Sequence, residues 1–172
     1  MTHQQNTIHI ERRNAPGLIH ATEQKPSNTR GAQALRITGY AARFNDITTL
    51  PHFLERVSPS AFNAADLSDV RLLIDHAGVP LARSAAGTLE LEVDKIGLKY
   101  SAELPNTERG RELFEAIRRG DVSQSSFAFT IAEQTWTEHK GQPLRTIDAV
   151  GVVFDVSPVT YPAYPTTSAA IL

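Results

Sequence analysis

Three side chains have the types that hydrolytic acyl transfer needs: the hydroxyl of Ser126, the imidazole of His76 and the carboxylate of Asp155. Ser126 sits in Val122-Ser123-Gln124-Ser125-Ser126-Phe127-Ala128-Phe129, among other serines. Strand alternation separates them. Phe127, Phe129 and Ile131 share one face, which must be core, together with Ser123 and Ser125. Ser126 and Ala128 then fall on the opposite face, where a small neighbour leaves room for a substrate. A hydroxyl becomes a nucleophile only when a base takes its proton. A strand serine is more commonly one that only bonds nearby backbone, and the segment alone favours that plainer role.

The base must come from six histidines. His3 and His9 lie near the N-terminus. His139 falls in Glu138-His139-Lys140-Gly141, which reads as an exposed turn. His20 and His52 have weakly defined contexts. His76 directly follows the apolar run of residues 70–74 (VRLLI), a buried strand that gives it rigid support. A core histidine bonded to a carbonyl fits that position as well as a base does.

The acid that orients an imidazole is expected to be buried and partnered. Asp155 is the one charge within Val152-Val153-Phe154-Asp155-Val156. An ion pair with Arg71 or Arg145 would explain it equally, and Asp148 is the alternative acid. Asp75 adjoins His76 but faces away from it if the strand persists. Metal chemistry finds no support, since neither His-x-x-x-His nor His-Glu-x-x-His occurs. No Gly-rich phosphate loop or Gly-x-Ser-x-Gly elbow is present. No metal and no cofactor are expected.

The elements that would position these groups are mostly short strands. Residues 7–13 (TIHIERR) alternate as a strand, residues 18–22 form a second, and residues 35–44 (LRITGYAARF) a third. Residues 24–31 read as a flexible loop. Ser58-Pro59 has the form of a short helix start. Residues 87–93 and 97–104 form a hairpin turning near Asp94-Lys95-Ile96-Gly97. Residues 107–119 are the clearest helix, capped by Asn106 or Thr107 and stopped by Gly120. Residues 122–131 and 146–156 are further strands. Strands outnumber helices, which predicts a mainly β (α+β), barrel-like fold with peripheral helices.

The chain has 172 residues, 41% hydrophobic and 21% charged, which fits one globular domain over residues 1–172. A net charge of −2 without a basic run argues against nucleic acid as a partner. The absence of cysteine excludes disulfides and a thiol nucleophile. No apolar stretch approaches the roughly 20 residues that span a bilayer. The polar start, Met1 to Asn6, is not a secretory signal.

Taken in order, several segments resemble the prohead (capsid maturation) proteases of tailed bacteriophages. They are Gly39-Tyr40-Ala41-Ala42 with Phe44-Asn45, Glu55-Arg56-Val57-Ser58-Pro59 with Ala61-Phe62, and Asp75-His76. The hairpin from Gly87-Thr88-Leu89 to Gly97-Leu98 follows, then Arg118-Arg119-Gly120-Asp121-Val122-Ser123 and Ser126-Phe127-Ala128-Phe129. The last runs from Asp155-Val156-Ser157-Pro158 to Tyr164-Pro165. The resemblance implies a fold like that of the herpesvirus assembly proteases. It maps the catalytic histidine to His76, the nucleophile to Ser126 and the acid to Asp155, where many relatives carry Glu. Gln124 and Ala128 replace glycines of the usual pattern, which narrows the expected cleft.

The implied activity is a serine endopeptidase that cleaves the scaffolding segment of a major capsid protein, and itself, with a homo-oligomer as one expected form. It would act inside the procapsid in the cytoplasm of a bacterial host, without membrane or nucleic acid. Two rival readings remain: a non-catalytic structural β-domain of a virion or other assembly, and a serine esterase or amidase for small molecules.

Overall fold

A computed structural model describes residues 9–15, 19–24 and 34–161, with backbone alone at 15, 24 and 34. The start of the first expected strand, His3, most of the loop at 24–31 and the motif beyond Tyr161 lie outside the described residues.

The first strands are β1 (Glu11–Ala15), β2 (His20–Gln24), β3 (Ala34–Arg43), β4 (Thr48–Thr49) and β5 (Leu54–Val57). The hairpin β6 (Arg71–Ile74) and β7 (Ala77–Arg83) follows, then a 3-10 turn at Ser84–Ala86 and the hairpin β8 (Leu89–Val93) and β9 (Gly97–Leu104). One helix, α1 (Glu108–Arg119), precedes the long strands β10 (Gln124–His139) and β11 (Gln142–Val159). The architecture is mainly β, as the alternation predicts. The short helix expected after Ser58-Pro59 is instead a run of tight turns, with Ala61 N–H donating to Ser58 O and Asn63 N–H to Ser60 O. Such i to i+3 bonds do not propagate an α-helix. No described helix is long and apolar enough to cross a membrane.

The strands form two sheets. The first runs β1-β10-β11-β5-β4, and β6 pairs with the far half of β11 and with β7. The second is antiparallel, β2-β3-β9-β8. The parallel pairings of β11 with β5 and with β6 let one long strand support two separate segments along the same edge.

The core lies between the sheets. Phe127 and Phe129 stack with centroids 4.3 Å apart, and Ile37, Leu98, Val153 and Val156 are fully buried around them. Burying each such side chain stabilises the fold by about 1.5–3 kcal/mol. Tyr100 lies over Gly39, where a Cβ would meet its hydroxyl at 2.9 Å, so a larger residue there would displace the ring. Helix α1 buries Leu113, Phe114 and Ile117 against β2 and β3. The Thr107 hydroxyl accepts from Gly110 N–H at its start, and Gly120 closes it in the left-handed conformation.

β10 and β11 extend well beyond the expected strands. Past Ile131 they continue as a ribbon to a two-residue turn at Lys140-Gly141, where φ is positive at both residues. Residues 132–138 are exposed on both faces, so no apolar alternation marks them.

Candidate active site

Three neighbouring strands of one sheet, β10, β11 and β6, bring the candidate residues together. Ser126 lies on β10 and Asp155 on β11, while His76 stands at the tip of the β6–β7 hairpin. His76 Nδ1 is 2.6 Å from Asp155 Oδ1, and His76 Nε2 is 2.7 Å from Ser126 Oγ. Asp155 accepts the Nδ1–H, which leaves the Nε2 lone pair for the serine proton. The alignment is continuous from carboxylate to hydroxyl.

The tip is a two-residue turn, Asp75-His76, with φ of 50° and 57°. Both residues are left-handed, as a type I′ turn requires. Aspartate and histidine are among the non-glycine types that tolerate this region. The strand therefore stops one residue before Asp75, and the opposite-face argument for Asp75 does not apply. Its carboxylate is committed elsewhere: Thr160 N–H and Thr160 Oγ1 each donate to it at 2.8 Å. Asp75 N–H donates to Pro158 O, and His76 N–H donates to Ser157 Oγ at 3.3 Å. On the far side, the Arg109 guanidinium of α1 packs on Gly78, 2.7 Å from where a Cβ would stand. Conformational strain at a site persists when its surroundings over-determine it, and these contacts do so.

Asp155 is 6% exposed, and neither arginine considered as its partner reaches it. Arg71 bonds Asp69, and Arg145 pairs with Glu55 and Glu11. Asp148 accepts from Thr135 Oγ1 on the exposed ribbon, away from His76. Although shorter than a glutamate, Asp155 reaches the imidazole because the turn folds His76 back over β11. Ser157, two residues on and thus on the same strand face, donates its hydroxyl to Asp155 Oδ1 at 2.8 Å. This one serine therefore braces both the histidine backbone and the acid.

Strand phase separates Ser125 from Ser126 as the sequence predicts. The Ser125 hydroxyl turns into the core and shares a 2.7 Å hydrogen bond with Tyr100 OH. Burial pushes the Tyr100 hydroxyl above its ordinary titration range, so it stays neutral. Ser126 is itself only 2% exposed, but its Oγ faces a cleft of about 490 Å³. Gln124 and Ala128 do not line that cleft, so their replacement of glycine does not narrow it. The remaining described histidines lie elsewhere: His9, His20 and His52 are exposed, and His139 ends β10 at the ribbon turn.

β1 forms the wall of the cleft that sequence reasoning did not find. It pairs with β10 so that Asn14 stands opposite Ser126 and Arg12 opposite Ala128. Ser126 Oγ also lies 3.1 Å from Arg13 O, a second acceptor for its single proton. The Arg13 side chain turns the other way into an ion cluster. Its Nε donates to Glu55 Oε1 at 2.5 Å, and Arg145 donates to Glu55 and to Glu11 at 2.7 Å each. Arg145 also lies over the Phe53 ring at 4.9 Å. Burial alone would raise the Glu11 carboxyl, but the hydrogen bond from Arg145 and the Arg13 charge outweigh it and hold it below its ordinary value. The cluster ties β1 to β5 and β11 and so fixes the Arg13 carbonyl beside the Ser126 hydroxyl. Strand alternation could have put Arg12 and Asn14 on one face, but nothing in the sequence pairs β1 with β10.

Among the described residues, no three His, Asp or Glu side chains are grouped to hold a metal ion. The arrangement can generate a serine alkoxide equivalent beside an open cleft, with the proton received by imidazole.

Residues 21–172 match a protein family described as caudovirus prohead serine protease. No curated protein matches the chain. Among solved structures, the capsid assembly protease of bacteriophage T4 is similar at a TM-score of 0.43 and 12% identity, over 88% of this chain and 99% of that one. At that score the two backbones share a loose outline only.

Proposed function

The chain belongs to the caudovirus prohead serine protease family, and from that premise we propose that it is a serine endopeptidase with Ser126 as nucleophile, His76 as base and Asp155 as orienting acid. The observation that carries this reading is the unbroken hydrogen-bonded series Asp155–His76–Ser126 opening onto the cleft. Ser126 Oγ attacks the carbonyl carbon of a peptide bond as its proton passes to His76 Nε2. Asp155 holds the Nδ1–H and stabilises the imidazolium that forms. His76 then protonates the departing amine, and water hydrolyses the acyl-enzyme by the same route.

The substrates we assign are the scaffolding segment of a capsid protein precursor and the protease chain itself, within an assembling procapsid. Family membership supports the first; the ground for the second is physical, because a terminus presented to a neighbouring copy inside a shell would be at high effective concentration. The test is co-expression with a candidate capsid protein, followed by intact mass. The parent enzyme should trim the precursor and Ser126→Ala should leave it whole. Trimming that persists with Ser126→Ala would sink the assignment.

A further inference from the structure

Attack on a peptide carbonyl creates an oxyanion, which needs donors roughly 2.7–3.1 Å from its final position. The inference here rests on the serine-protease reading above. Several side chains at the cleft are already committed. Asp75 and Thr160 bond each other, and Val159 is apolar. Tyr161 lies out at the rim, 86% exposed. Two uncommitted donors remain, Arg12 and Asn14, both on β1. Neither side chain makes a hydrogen bond or ion pair with any described residue.

Strand register decides between them. Asn14 is directly opposite Ser126, whereas Arg12 is opposite Ala128, two residues further along. Side chains directly opposite in an antiparallel pair start about 4.5–5.5 Å apart at Cβ. A carboxamide on one therefore reaches the space just above a hydroxyl on the other. Asn14 is also half-buried. A partly desolvated amide without a protein partner gains most when a ligand supplies the missing acceptor.

We propose that Asn14 is a catalytic residue whose side-chain Nδ2–H donates to the oxyanion formed at Ser126. As Ser126 Oγ bonds to the carbonyl carbon, the carbonyl π pair moves onto oxygen and the serine proton goes to His76 Nε2. Asn14 donates a hydrogen bond to that oxygen and transfers no proton. On collapse the electron pair returns, the C–N bond breaks, and His76 protonates the amine. β1 ends at Ala15, before the matched residues 21–172, so this donor comes from a strand that the family match does not include.

The test uses the chain of residues 1–172 and an alkyl fluorophosphonate, whose reaction with serine also builds charge on an oxygen. The labelling rate is followed by intact mass for the parent, Asn14→Ala and Asn14→Leu. Leucine resembles the amide in size but has no donor and no charge. Both variants should label about 100-fold more slowly, with parent-like unfolding midpoints and the same pH midpoint of labelling. A rate within twofold of the parent in a folded variant overturns the proposal. So does a slow rate with a displaced pH midpoint, because Asn14 would then act through His76. If the alanine variant does not fold, the leucine variant decides. An unlabelled parent would overturn the serine-protease reading itself, whereas a labelled parent with unaffected variants overturns this assignment alone.

Discussion

The carboxylate of Asp75 accepts two hydrogen bonds from Thr160, one from its backbone N–H and one from its hydroxyl, each at 2.8 Å. This pair fastens the hairpin tip to the end of β11, and the next residue of the tip is His76. The position of His76, the proposed base, is therefore held in part by a neighbour that does not touch its ring. Asp75→Ala should lower turnover by one to two orders of magnitude, since small misplacements of a reacting group cost about that much. Thr160→Val, which keeps the backbone donor, should cost less. The check is the rate of peptide cleavage together with circular dichroism to show retained fold. Full activity for Asp75→Ala would mean that the remaining tip contacts suffice.

Ser125 and Ser126 should respond oppositely to truncation. Ser126→Ala removes the proposed nucleophile and should abolish cleavage, with stability changed by no more than about 1 kcal/mol. Ser125→Ala should keep most of the activity but lose stability, because it strands the buried Tyr100 hydroxyl at a cost of about 1–3 kcal/mol. Tyr100→Phe combined with Ser125→Ala should recover part of that loss. Urea unfolding of the two single variants and the double variant measures it. A Ser125→Ala variant as stable as the parent would show that the Tyr100–Ser125 bond contributes nothing.

The acid can be tested by a series along β11. Asp155→Asn should reduce turnover by about three to four orders of magnitude, since the amide favours the wrong imidazole tautomer. Ser157→Ala should give a smaller loss, as it removes only the brace between the His76 backbone and Asp155. Asp148→Asn should be nearly silent, because Asp148 bonds Thr135 on the exposed ribbon. Cleavage rates for the three variants provide the ranking, and a mild Asp155→Asn would contradict it.

Glu11 makes β1 sensitive to acid. Its folded carboxyl lies below the ordinary 4.5, because the Arg145 hydrogen bond and the Arg13 charge outweigh burial. A depressed acid stabilises the fold fully above its unfolded value, and that contribution is lost as pH falls through the folded value. Falling pH should thus loosen β1 from β10 before the core opens. Hydrogen exchange at residues 11–15 between pH 6 and pH 3 would follow it. Glu11→Gln should remove this pH dependence, and an unchanged acid response in that variant would show that another group is responsible.

The sequence made parts of this site legible for definite reasons. Phe127, Phe129 and Ile131 fixed the phase of β10 and so divided Ser125 from Ser126. The lone charge in an apolar strand singled out Asp155. The run before His76 marked a buried support, though not the left-handed turn that ends it. That turn depends on Thr160 and Ser157, which lie more than 80 positions away in the chain. The role of β1 was illegible for the same reason: Asn14 meets Ser126 only through a long-range strand pairing. The distal part of β10 was missed because residues 132–138 are exposed on both sides and Trp136, their one large apolar side chain, sets no alternation.

Labelling with a fluorophosphonate, followed by peptide mapping, tests the central claim most directly. The account predicts one adduct, on Ser126, that forms in the parent and in Ser125→Ala but is suppressed in His76→Ala. An adduct on another serine, or labelling of Ser126 that is indifferent to His76, would contradict it.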